Sequence, residues 1–250
     1  MRTRPEFAVR LPDEIRFPVD AVYTWADGAD PRWHERRARP AGHGDHERAA
    51  DETRPWTTTR CATRCARCTS TPLGAPRLPG DGPPGTGLAD PRPPGLTVVG
   101  HSEIFDDPSA LPTFNPHAVE TRLHHVHGLS EHFLYLNDDV FLGSPVTPQD
   151  FFLPSGTTKF FLSRALVPHG APTPTTSRWR RPGRTTGRCW RAGSARPHPA
   201  AEAHPHALRR SVLAEIEREF PGPYRATMTS RVRGASDISV PPRCTTTTPT

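Results

Sequence analysis

Periodic text occupies only three islands of this 250-residue chain, so any core must be assembled from them. The first is RFPVDAVYTWADGADPRW (16–33), in which a short β-type run stops at Asp27-Gly28, a turn signal. The second runs from 96 to 168. In it, LTVV reads as a buried strand ending at Gly100-His101. NPHAVETRLHHV reads as a helix with Asn115 as N-cap and Pro116 at its first position, and FLYL as another strand. The third, HALRRSVLAEIEREF (206–220), puts Leu208, Val212, Leu213, Ile216 and Phe220 on one face of an amphipathic helix. Strands alternating with helices predict an α/β domain with a central sheet flanked by helices. Each expected strand ends in polar residues: Asp27, His101, and Asn137 to Asp139. Ligands of open α/β sheets sit beyond the carboxyl ends of strands, so one shared site is expected there.

Between the islands the text changes character. Residues 50–95, 170–203 and 242–250 read as irregular, Pro/Gly/Arg-rich segments, and PLGAPRLPGDGPPGTGLADPRPPG (72–95) has neither helical nor strand periodicity. Cys61, Cys65, Cys68, Cys189 and Cys244, all five cysteines, lie in these segments. CATRCARC has the C-x3-C-x2-C spacing of an iron–sulfur loop, but no barrel pattern follows it. A slipped reading frame in a GC-rich gene turns leucine codons into cysteine codons and accounts for all five at once. The three irregular segments are therefore expected to be frame-shifted text.

Net charge is +6, and Lys159 is the only lysine. The arginines are scattered and lack the interleaved aromatics of a single-strand binder, so no nucleic-acid partner is expected. No apolar run approaches the ~20 residues of a membrane span, and MRTRPEFAVRLPDE has no apolar segment of a signal peptide. A cytoplasmic protein is expected, with peripheral association at the inner face of the membrane left open.

FLYLNDDVFLG (133–143) sets two adjacent carboxylates at a strand end. Paired carboxylates repel and resist burial, which leaves two readings: a hydrated turn, or a divalent cation held by carboxylate oxygens.

VDAVYTWADGADP, VVGHSEIF, LPTFNPHAVETRLHHVHGLSEHFLYLNDDVFLG and PQDFF, with parts of PHALRRSVLAEIEREF and SRVRGASDISVP, resemble the Stealth family of sugar-phosphate transferases. The resemblance covers a little over half of the chain. It implies a single nucleotide-sugar-transferase-like domain, with 16–168 as its first part and 204–241 as its C-terminal part. It also implies transfer of a sugar-1-phosphate from a nucleotide-sugar to a hydroxyl of a polysaccharide or oligosaccharide acceptor in capsule or exopolysaccharide synthesis, forming a phosphodiester. Asp138 and Asp139 would hold Mg²⁺, or Mn²⁺ or Ca²⁺ in its place. Asp20, Thr24, Trp25, Asp27, His101 and Asn137 would contact the donor. Trp25 reads equally as core, and His101 as a structural histidine. His206 would be the general base, since imidazole titrates near neutrality; a surface histidine in a first helical turn is the other reading. His204 stands one place from the position at which family members carry another histidine. Arg231 and Arg233 would clamp phosphate, Asp237 would orient one of them, and Arg209 and Arg210 read either as further clamps or as exposed cations. Membrane export machinery is a further expected partner. Two rival functions stand beside this one: an inactive frame-shifted remnant of such an enzyme, and a metal-dependent glycosyltransferase, whose product would contain no phosphodiester.

Overall fold

VDAVY and HFLYL carry apolar residues at consecutive positions, the pattern of strands covered on both faces. In the computed structural model they are β1 (Val19–Tyr23) and β4 (His132–Leu136), every residue of both buried. The structure describes residues 14–24, 35, 76–80, 96–137, 140, 142–159, 162–167, 198–201, 205–234, 237, 238 and 240. Among these, five strands form one sheet in the order β3-β2-β1-β4-β7, with β2 at Pro76–Gly80, β3 at Thr97–Gly100 and β7 at His206–Arg209. β3, β2, β1 and β4 run parallel; β7 is antiparallel to β4. β5 (Leu162–Val167) and β6 (His198–Ala201) pair antiparallel in a second, two-stranded sheet.

Strand alternation divides the core between the two faces of the sheet. Val22, Phe133, Tyr135 and Leu208 point to one face, Val19, Ala21, Tyr23, Leu134, Leu136 and Ala207 to the other. The first face is covered by α1 (His101–Ile104), α2 (Pro116–Glu120), α4 (Arg210–Glu219) and α5 (Pro221–Met228), through Ile104, Val119, Leu213, Ile216 and Tyr224. α3 (Pro148–Phe151) closes the second with Phe151 and Phe152. Burying Leu213 and Ile216 supplies about 2 kcal/mol each, several times any helix-propensity difference in α4.

The expected mixed α/β class is observed, with three local corrections. The stretch 50–95, read as irregular throughout, contains β2, and 170–203 contains β6. The third island is not helical from its start: His206–Arg209 is a strand, because Ala207 and Leu208 bury on opposite faces of the sheet, which no helical turn allows. The five positions expected on one apolar face still meet one cluster, Leu208 reaching it from the strand. The helix expected over 115–126 stops at Glu120 and resumes as a 3-10 turn, Leu123–His125. Its start is as expected: the Asn115 side chain accepts from His117 N at 3.1 Å, with Pro116 in the first turn.

Candidate functional site at the carboxyl rim of the sheet

β1 and β4 lie side by side in register from Val19↔His132 to Tyr23↔Leu136. Thr24 N then donates to the Leu136 carbonyl at 3.3 Å, so Thr24 and Asn137 leave the sheet as neighbours. β2 and β3 are laid down on one side of β1, and the chain then returns to its other side for β4. The strand order therefore reverses between β1 and β4, the position where open sheets of this kind open a ligand crevice. β7 runs the opposite way, so its first residue comes to the same rim. His206 pairs with Tyr135, and their rings stack at 6.3 Å and 20°.

Three expected site residues thus meet at one rim: Thr24, Asn137 and His206. Their neighbours Trp25, Asp27, Asp138 and Asp139 lie outside the described residues; Asn137 accepts from Val140 N at 3.1 Å on the far side of the acidic pair. His101 opens α1 beyond the end of β3, two strands from β1, or roughly 10 Å at the usual strand spacing. Asp20 is not brought to the rim. It is the second residue of β1, roughly 13 Å back along the strand from Thr24, buried, and accepting from Ser130 N at 2.8 Å. That bond fixes the approach to β4. The Arg231 guanidinium donates to the Ser109 carbonyl at 3.3 Å, and Arg233 is half-buried on the same segment. Arg209 pairs with Glu131 at 3.2 Å and Arg210 donates to the Leu129 carbonyl at 3.4 Å, so the described bonds of both are structural.

Beneath the rim lies a polar line that sequence reasoning missed. Thr24 Oγ1 and the Tyr135 hydroxyl are 3.1 Å apart, and that hydroxyl donates to Glu120 Oε1 at 3.3 Å. Glu120 Oε2 takes His117 Nδ1 at 3.0 Å. Asn115 caps this helix at His117 N and passes its amide to Asp237 Oδ2 at 2.8 Å, which also accepts from Gly234 N at 2.6 Å. Burial raises the Asp237 carboxyl above its ordinary range, and the hydrogen bonds from Gly234 and Asn115 only partly offset this. His117 and Glu120 stand three apart in NPHAVE, a spacing that puts them on one helical face; that was the available signal. At the rim Thr24 and Asn137 carry side-chain oxygens, the donor type that suits a hard divalent cation. A second group, His124, His125 and Glu217, offers ligand atoms within 4.8 Å of one another on the helical side.

Three sequence models of one family match this chain: Stealth protein conserved region 1 over residues 17–39, conserved region 2 over 88–160 and conserved region 3 over 204–241. Together they take in just over half of it. An exopolysaccharide phosphotransferase of Streptomyces coelicolor is 47% identical over 245 residues, 96% of this chain and 41% of its own length. Exopolysaccharide phosphotransferase CpsY of Mycobacterium tuberculosis is 36% identical over 91% of this chain and 43% of its own, and an exopolysaccharide phosphotransferase of Nocardia farcinica is 36% identical over 92% and 46%. The chain belongs to the Stealth family. It spans about two fifths of the length of the curated relatives it matches. Among the described residues, no helix is long and apolar enough to cross a membrane.

Proposed function

We propose that this chain carries the catalytic core of an exopolysaccharide phosphotransferase that moves a sugar-1-phosphate from a nucleotide-sugar to a hydroxyl of a polysaccharide or oligosaccharide acceptor. Family membership and the names of the relatives support the reaction class. The observation that carries the reading is the meeting of Thr24, Asn137 and His206 at the strand-order reversal, produced by an antiparallel strand delivered beside two parallel ones.

The acceptor hydroxyl gives its proton to His206, and its oxygen bonds to the phosphorus attached to the sugar. The bond from that phosphorus to the bridging oxygen breaks, and the electron pair leaves with a nucleoside monophosphate. Thr24, Trp25, Asp27 and Asn137 hold the donor at the rim; His101 reaches it from two strands away, and Asp20 acts from behind by fixing β4. Asp138 and Asp139 hold Mg²⁺ or a similar cation, which when bound neutralises diphosphate charge. Arg231 and Arg233 offer planar forks to phosphate. Export machinery at the membrane would receive the product.

The test is the leaving nucleotide. With a nucleotide-sugar and an oligosaccharide acceptor, nucleoside monophosphate is expected together with a ³¹P resonance of a phosphodiester. Nucleoside diphosphate and a phosphorus-free glycosidic product would replace this reading with a glycosyltransferase. His206→Ala is expected to lower kcat by roughly 10²- to 10⁴-fold, the usual contribution of a general base.

A further inference from the structure

Arg122 is among the largest fully buried side chains of the described residues, and it organises a cluster on the helical side of the sheet. Its Nε donates to the Ile104 carbonyl at 3.0 Å, one terminal nitrogen to Glu217 Oε1 at 2.9 Å and the other to Asp106. Glu217, on α4, thereby has one carboxylate oxygen fixed and the other turned toward the 3-10 turn Leu123–His125. There Oε2 stands 2.8 Å from His124 Nε2 and 3.5 Å from His125 Nε2. The two imidazole rings are 4.1 Å apart.

We infer that His124, His125 and Glu217 form a binding site for a zinc-class transition ion, which fastens the turn after α2 to α4.

Donor chemistry is the first argument. Two imidazoles and a carboxylate are a zinc-type set, with water in the fourth position, whereas magnesium takes oxygens. Distances are the second. Bonds of ~2.0–2.2 Å to a tetrahedral ion put its ligand atoms roughly 3.3 Å apart. The group's ligand atoms already lie within 4.8 Å of one another, so small side-chain rotations would suffice.

An orphaned nitrogen also faces the site. The His124 side chain is 6% exposed, with its Nε2 held by Glu217, and His125 Nε2, which faces the same carboxylate oxygen at 3.5 Å, is buried without a hydrogen-bond partner among the described residues. Folding leaves such a nitrogen unmet at a cost, and a simple His124–Glu217 hydrogen bond does not explain why the second ring is brought to the same oxygen. The fourth argument is the surrounding shell. Arg122 hydrogen-bonds the ligating carboxylate, and Asp106 Oδ1 lies 3.8 Å from His125 Nδ1, the nitrogen opposite the one offered to the ion. Hydrogen-bonded ligands and a carboxylate behind a histidine are the usual support of a metal centre. Glu217 and Asp106 both pair with the single guanidinium of Arg122.

Zn²⁺ and Co²⁺ are the probes, added to the intact chelator-treated chain. One ion per chain is expected to bind at this site, apart from any held at the rim. Zinc should raise Tm by roughly 5–10 °C at a hundredfold excess over its Kd, and cobalt should develop the visible bands of a four-coordinate site. His124→Gln, Glu217→Gln and the more exposed His125→Asn should each abolish the bands, with His125→Asn keeping its far-ultraviolet circular dichroism. Asp138→Asn with Asp139→Asn should leave both readouts unchanged. No saturable binding, or bands that survive in a folded His125→Asn chain or vanish in the doubly substituted rim variant, would overturn the assignment.

Discussion

Tyr135 is fully buried, yet its hydroxyl touches both Thr24 and Glu120. Tyr135→Phe leaves Glu120 short of a buried donor, at a cost of about 1–3 kcal/mol. Tm should fall by roughly 3–10 °C, and phosphotransfer with it, since Thr24 would lose the contact that holds it at the rim. Thr24→Val, which keeps the tyrosine–carboxylate bond, should cost less; an unchanged Tm in Tyr135→Phe would show that the line contributes nothing. At the other end of β4, His132 Nε2 donates to the Gly156 carbonyl at 3.0 Å. Gly156 has φ +82°, and a Cβ there would stand 2.9 Å from that nitrogen, so Gly156→Ala should destabilise by about 2–3 kcal/mol in a denaturant titration. Burial, with the charge of Arg209, lowers the His132 pKa. The unfolded chain then takes up a proton near ~6.5 that the fold refuses, so stability declines as pH falls below that value and levels off below the folded pKa. In His132→Gln this part of the pH dependence should vanish from melts taken at successive pH values.

Strand positions were legible in the chain: β1, β3 and β4 fall at the first β-type run, LTVV and FLYL, and Asn115-Pro116 opens a helix; but β1 ends at Tyr23, short of the expected stop at Asp27, and β3, expected to be buried, is an edge strand with only Val99 buried. Legibility failed where partners outweigh local pattern. HALR looks like the first turn of a helix, but its edge position against β4 makes it a strand, and that strand is what carries His206 to the rim. PRLPG shows no alternation, yet β2 lies between β1 and β3 with Leu78↔Val98 and Pro79↔Val99 in register. A proline inside a central strand withholds a ladder donor, which is why such text argues against a strand. Pro79→Val restores the donor and should stabilise the chain by about 1 kcal/mol in a denaturant titration; a loss would mean that this ladder position makes no bond. Asp138 and Asp139 are conspicuous in the chain as paired carboxylates after a strand, but they lie outside the described residues. The polar line below the rim was not legible, because its members follow β1 or lie on α2, β4 and the segment after α5, and only the fold joins them.

At the scale of the whole molecule, three conserved regions far apart in sequence build one sheet: the first supplies β1, the second β3 and β4, the third β7 with α4 and α5. β2 lies outside all three. The second and third regions are clasped where the Asn115 amide meets the Ser230 carbonyl at 3.2 Å and Asp237 at 2.8 Å, beside Phe114 N on the Arg231 carbonyl at 2.8 Å. The clasp sets the path of the segment carrying Arg231 and Arg233, so a helix cap also serves to hold the proposed phosphate forks. Asn115→Ala removes the cap and one donor to a buried carboxyl, and should cost about 2–4 kcal/mol. Amide exchange over 230–238 should accelerate roughly tenfold or more beyond the global change, because the clasp opens locally. Asn115→Asp separates clasp from cap: it keeps the oxygen that caps His117 but sets a second carboxylate against Asp237, whose own pKa burial already raises. Two carboxylates in contact cannot both ionise without penalty, so this variant should be weakest near neutral pH and regain stability as acid protonates one of them. A variant equally stable at both ends of that range would mean that the two side chains do not meet.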